Sequence, residues 1–287
     1  MWYNAGLILE GGGMRGIFTC GVIDALIENE IEISTIYGVS AGACHAVSLI
    51  TKQLGRAWRI TTDYIGQKDY MGLRSLVTTG NYFGENMLFN RLHTELDPLD
   101  YDEYEKFISR GKFYSVVSNL RTGKPEYLTQ SMYDMTHGMR AICASSSMPI
   151  LSKRCKIGDD KYLDGAMTDA IPIHRSIEDG NKKNILVLTR NDEYVKHLDK
   201  ALPLDCLWYW RYPKFLKQIA NRHKVYNATR EFIKEEEKAG RAFVIKPQKP
   251  VTVGVAEKNK TKLRDLYNQG YELASKSAPA MIKFLSE

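Results

Sequence analysis

Between residues 5 and 50 the chain twice runs an apolar stretch into a glycine-bracketed turn that opens a helix. The first turn is Gly-Gly-Gly-Met-Arg-Gly at 11–16; the second is Gly-Val-Ser-Ala-Gly at 38–42. Residues 5–10 and 34–39 read as buried strands. Residues 14–29 read as a helix, with Ile17, Val22, Leu26 and Ile27 at helical spacing, and a second helix of small residues follows Ser40. Further strands are expected at 112–120, 154–165, 184–190 and 242–246, with helices between them. This alternation predicts a three-layer α/β/α fold around a mostly parallel central sheet. No repeat or Gly/Ser-rich linker interrupts the 287 residues, so one domain spanning 1–287 is expected. Its core motifs lie within 5–190. A lid or insertion of loops and short helices is expected at about 66–104, and a helical covering at about 204–287.

The first glycine turn admits two readings. Gly11, Gly13 and Gly16 fit G-x-G-x-x-G between strand and helix, the setting of a dinucleotide site. Such a site needs an acid at the end of the second strand. Glu32 has about the right spacing but precedes that strand, and no Asp or Glu occurs between residues 33 and 62. A P-loop is excluded, because no Gly-Lys-Ser/Thr follows. What ends the second strand is G-x-S-x-G, a turn that lifts its serine into reach of substrate at a helix N-terminus. That makes Ser40 a candidate nucleophile. The 11–16 loop, at the same edge of a parallel sheet, then becomes a candidate oxyanion hole built from Gly11, Gly12, Gly13, Met14, Arg15 and Gly16. A packing turn and a helix N-cap are the plainer readings of the two motifs.

A serine nucleophile needs a base. None of the six histidines, His45, His93, His137, His174, His197 and His223, sits in a distinctive motif. Asp164 closes an expected hairpin, "KIGDDKYLDGAM", and lies at a strand end before Gly165-Ala166. A carboxyl of ordinary pKa ~3.9 is a weak base, but desolvation beside the serine would raise it. A turn aspartate is the alternative.

Four motifs occur in one order: Gly-Gly-Gly-Met-Arg-Gly at 11–16, G-x-S-x-G at 38–42, Ala144-Ser145 with Pro149 in "ASSSMP", and Asp164-Gly165-Ala166. In this the chain resembles the bacterial patatin-like phospholipase family. The resemblance implies a Ser40–Asp164 dyad, an oxyanion hole from the 11–16 loop, and hydrolysis of phospholipid or other acyl-ester lipids without metal or cofactor. Ala166 departs from the second glycine of many members, a small change. Tyr82, Phe83, Met87, Leu88 and Phe89 read equally as acyl-channel lining or as core. A lipid-binding pseudo-enzyme and a nucleotide-binding protein are the competing functions.

Five cysteines, an odd number with no C-x-x-C and no histidine cluster, point to free thiols, a reducing compartment and no zinc site. With no signal-like start and no long apolar run, a cytoplasmic protein is expected. The formal charge is +6, and residues 208–249 carry eleven Lys and Arg against four Glu. That segment reads as a basic amphipathic helix over Phe215, Leu216, Ile219, Tyr226, Phe232 and Ile233, preceded by Trp208 and Trp210. Such a helix suits either an anionic membrane surface or packing on the core. No motif supports nucleic-acid binding. Two helices are expected near the C-terminus.

Overall fold

A computed structural model describes residues 1–287. The opening repeat forms β1 (Trp2–Leu9), α1 (Ile17–Glu28), β2 (Glu32–Val39) and α2 (Ala41–Ile50). The later strands are β3 (Lys112–Asn119), β4 (Pro125–Thr129), β5 (Cys155–Ile157), β6 (Asp160–Asp164), β7 (Asn184–Val187) and β8 (Ala242–Ile245). They make one sheet in the order β5-β6-β3-β2-β1-β7-β8, with β4 also on β3. From β3 to β8 every pairing on that path is parallel, whereas β4, β5 and β6 pair antiparallel. The sequence reading did not anticipate β4. It opens on Pro125 and is half-buried through most of its length, so it lacks the apolar run of a central strand and behaves as an edge.

Successive residues of the central strands point to opposite faces, and each face has its own helical layer. Leu7 and Leu9 pack with α1, α2 and the helix Lys260–Ser286, while Ile8 and Leu186 pack with Ile171, Ile173, Tyr226 and Ile233. The three-layer α/β/α arrangement with a mostly parallel sheet follows directly. One expectation changes, and one open choice is settled. The C-terminal segment is one helix of 27 residues with Pro279 inside it. An interior proline costs about 3 kcal/mol. Leu263, Leu266, Ala274, Ala278 and Met281 are buried on both sides of it, and each large buried side chain contributes about 1.5–3 kcal/mol, so packing outweighs the break. The basic helix Pro213–Lys238 spends its apolar face on the sheet layer, with Phe215, Ile219, Tyr226 and Ile233 all buried. That face is not available to a membrane.

Residues 66–104 hold the short helix Leu73–Thr79, a widened π-helix Met87–Leu96 and the start of the helix Tyr101–Ile108. They are tied down by a fully buried arginine. The Arg56 guanidinium donates to the Asp97 carbonyl at 2.7 Å and lies 3.0 Å from His93 Nδ1. Burial lowers the Arg56 pKa to about 10, so it stays charged at neutral pH.

Candidate active site

Ser40 is the hinge between β2 and α2, at φ 54° and ψ −124°. A non-glycine residue in that region is strained and must be held by its surroundings. The flanking glycines make the turn sterically feasible: a Cβ on Gly38 would lie 2.5 Å from the Ala43 Cα, and one on Gly42 would strike the Leu9 carbonyl. The Ser40 amide donates to the Ser145 hydroxyl at 2.9 Å in a buried bond. The first serine of "ASSSMP" thus braces the turn.

Sheet register brings Asp164 to this hinge. Val39 pairs with Val116 on β3, and the next β3 residue, Val117, pairs with Asp164 at the end of β6. Because β4 occupies the other edge of β3 across residues 114–118, β6 takes over the β2 edge where β2 stops. Ser40 and Asp164 therefore follow one another along a single strand edge. The Ser40 hydroxyl is a hydrogen-bonding neighbour of the Asp164 carboxyl, although the pair is not closed into an aligned short bond; such contacts often tighten only with substrate bound. Asp164 is 2% exposed and accepts the Ala166 amide at 2.8 Å. Burial pushes its pKa above the ordinary carboxylate value. The Ser40 hydroxyl, the Ala166 amide and the charges of Arg222 and Lys196 pull it partly back.

The glycine loop faces the same point. A Cβ on Gly11 would sit 2.7 Å from the Ser40 Cβ, so only glycine lets the loop come this close. Its amides are not equivalent. Met14 donates to the Val255 carbonyl at 3.0 Å and Arg15 to the Gly12 carbonyl at 3.3 Å. The amides of Gly11, Gly12 and Gly13 have no protein acceptor. The loop is steadied by Thr189, whose hydroxyl donates to the Gly11 carbonyl at 3.0 Å. Glu32, the ribose candidate of the dinucleotide reading, stands at the opposite end of β2 and pairs with Lys52 and Arg110.

Two cavities meet at Ser40. One is apolar and small, about 100 Å³, and runs under the π-helix past Val47, Ile60, Leu88, Phe89, Leu92 and Ile142. The other is polar, about 370 Å³, and is lined by the glycine loop, Asp164 and several cationic side chains.

Residues 7–177 match the family model of the patatin-like phospholipases. The chain belongs to that family. By family it is thus a lipid hydrolase of the esterase or lipase kind. Residues 212–286 match a second model, described as a domain of unknown function (DUF6363). The uncharacterized protein YjjU of Escherichia coli is 26% identical over 255 residues, covering 85% of this chain and 69% of YjjU. A probable lipid hydrolase 463L of Invertebrate iridescent virus 6 is 25% identical over 197 residues, covering 63% of this chain and 66% of the viral protein. The chain thus spans about two thirds of the length of each. Among solved structures, VipD from Legionella pneumophila shares the fold at a TM-score of 0.51 and 10% identity, over 99% of this chain and 67% of VipD.

Other groups in this patatin-like chain make contacts of their own. His45, one turn beyond the elbow, is buried against Gly16, and burial lowers its pKa to about 4. His174 stacks on Phe232. Cys44 lies 3.3 Å from the Ser146 hydroxyl, and burial raises its thiol to about 11, so it is a packing residue. All five cysteines are free. No helix is long and apolar enough to cross a membrane. Sequence reasoning missed Val255, which anchors the loop from far along the chain, and Arg190, Lys196 and Arg222, which line the polar cavity. Nothing local distinguishes these residues from ordinary surface positions.

Proposed function

We propose that the protein is a phospholipase A-type acyl hydrolase, with Ser40 as nucleophile and Asp164 as its base. The observation that carries this reading is the shared β3 edge, which sets Ser40 directly after Val39 and Asp164 opposite the next residue. Ser40 Oγ attacks the ester carbonyl and its proton passes to Asp164. The oxyanion is held by the amides of Gly11, Gly12 and Gly13, with those of Met14 and Arg15 engaged in keeping the loop rigid. The tetrahedral intermediate collapses, and the leaving alcohol takes the proton from Asp164. Water then gives a proton to Asp164 and attacks the acyl-enzyme. The fatty acid leaves and Ser40 regains its proton. Without a third member to orient the base, the Ala166 amide and the sheet register do that work.

Residues 1–287 act here as one unit, with 66–104 as a roof over the acyl side. The apolar cavity, at about 100 Å³, is small beside the ~300–1,000 Å³ usual for ligand sites, so a long acyl chain requires that roof to lift. Five free thiols favour a reducing compartment such as the cytoplasm, with peripheral contact at an anionic membrane surface through Leu207, Trp208 and Trp210, which are 70%, 54% and 65% exposed.

Labelling with a fluorophosphonate probe tests the reading. Wild type is expected to label, Ser40→Ala not at all, and Asp164→Ala at a rate lower by a factor of about 10² or more. Equal labelling of all three forms would reject an activated Ser40.

A further inference from the structure

The cavity beside Ser40 gathers four cations and four carboxylates, yet only one cation–carboxylate pair among them, Arg222 with Asp199 at 3.9 Å, comes within ion-pair distance. Arg15, Arg190, Lys196 and Arg222 all line it. Of its four carboxylates, Glu10 accepts the Thr189 amide at 2.6 Å and the Tyr226 hydroxyl at 2.7 Å, and it acts on Arg15 and Lys196 only at longer range than an ion pair. Asp164 belongs to the dyad. Asp205 is buried, which raises its pKa to about 6, and it closes no ion pair. Asp199 pairs with Arg222 at 3.9 Å and acts on Lys196 from farther away.

Neither Arg190 nor Lys196 closes an ion pair with a carboxylate of the cavity. Each instead lies over an aromatic ring, Arg190 on Tyr194 at 4.3 Å and Lys196 on Tyr226 at 5.1 Å. Arg15 has a buried Nε without an acceptor. The cations also oppose one another: burial and then Arg190 lower the Arg15 pKa, and burial with Arg222 lowers that of Lys196 to about 8. Cations held in a half-buried cleft without close ion-pair partners favour an anion that completes them.

We propose that Arg190, Lys196 and Arg222 form a head-group subsite that binds the phosphate of an anionic glycerophospholipid while its acyl ester lies at Ser40. This assignment rests on the hydrolase reading above and names its substrate class. The geometry suits the substrate: of the two cavities that meet at Ser40, the apolar one takes the acyl chain and the one that holds the unpaired Arg190 and Lys196 takes the leaving portion. All three cations lie outside the 7–177 patatin match, and Arg222 lies inside the 212–286 match. The C-terminal segment of unknown function then supplies part of the substrate selectivity. It also supplies Val255, which steadies the glycine loop.

The test compares two monomeric substrates with the same acyl chains, dihexanoyl phosphatidic acid and dihexanoylglycerol, so that attraction to a membrane surface plays no part. Wild type is expected to favour the phosphatidic acid in kcat/KM. The double variant Arg190→Gln/Lys196→Met should lower that preference about tenfold or more, the value of one charge-assisted contact. Arg222 is left intact because its Nε also donates to the Ala166 carbonyl at 2.6 Å, beside the dyad. Equal loss on both substrates, or no preference in wild type, overturns the subsite. If wild type hydrolyses neither substrate, calorimetry on Ser40→Ala decides separately. Binding of dihexanoyl phosphatidic acid that is lost with Arg190→Gln/Lys196→Met keeps the subsite while the hydrolase reading falls. Absence of binding rejects the subsite. Glycerol phosphate binding as tightly as the lipid would assign the cleft to a free phosphate ester and overturn the lipid assignment.

Discussion

At Asp164 the proposed role as base and the demands of folding oppose each other. The carboxyl is buried, and its pKa in the folded chain lies above the ordinary value. The ionised form therefore costs stability at every pH above the unfolded value of ~3.9, and protonation relieves that cost as pH falls. Asp164→Asn keeps an acceptor for the Ala166 amide and removes the buried charge. It is expected to raise Tm at neutral pH, with the gain shrinking toward pH ~4, while fluorophosphonate labelling is lost. Thermal melts of both forms across that pH range check this; a variant less stable than wild type at neutral pH would show that the carboxylate's contacts outweigh its burial. Ser40 makes the same trade in its backbone, where a φ of 54° is tolerated because Ser145 and the adjacent glycines hold the turn. The serine elbow was readable in the sequence because steric demand dictates its residue types. Supporting hydrogen bonds from "ASSSMP" could be expected there, but not that Ser145 would take the Ser40 amide, since a hydroxyl's partner a hundred positions away leaves no local mark.

At the scale of elements, the C-terminal helix Lys260–Ser286 lies against α1 at very close range. A Cβ on Gly270 would strike the Phe18 carbonyl, and one on Gly21 the Tyr267 carbonyl. These reciprocal contacts let two backbones approach until Tyr267 reaches Asp24 with a 2.6 Å hydrogen bond. Gly270→Val is expected to cost about 1–3 kcal/mol through overpacking, read as a fall in Tm. Gly254→Ala, with open space around its Cβ position, serves as the neutral control. A Gly270→Val chain as stable as wild type would mean that the two helices separate without penalty. Because α1 begins where the glycine loop ends, the same helix pair fixes the loop from below. The periodicity of the C-terminal segment was legible. Its continuity through Pro279 was not, because a packing surface on a distant helix decides it.

Over the whole molecule, the positive surplus and the aromatic residues divide between different tasks. The helix Pro213–Lys238 turns its apolar side inward and Arg222 toward the polar cavity. Leu207, Trp208 and Trp210 stay exposed beside it. They flank the cavity rim, since the short helix Leu202–Trp208 lines it through Asp205 and its N-cap Ala201, and Tyr209 accepts the Ile150 amide at 3.0 Å. Trp208→Ala/Trp210→Ala is expected to weaken binding to anionic vesicles about tenfold or more, a larger loss than in turnover of a monomeric ester. Vesicle co-sedimentation measures it, and unchanged affinity would move the membrane contact elsewhere.

Residue types and their spacing alone determined the βαβ frame, the elbow at Ser40, the glycine loop and the candidate base at Asp164. Each of these rests on local demands: apolar runs for buried strands, glycine for tight turns, an acid at a strand end. Tertiary structure alone decided that β6 takes over the β2 edge of β3 and so delivers Asp164 to Ser40. It alone decided which amides of the loop stay free, that the basic helix packs inward, and that Arg190, Lys196 and Arg222 converge on one cavity. These are relations between segments distant in the chain, set by sheet register and helix packing, and no local pattern encodes them.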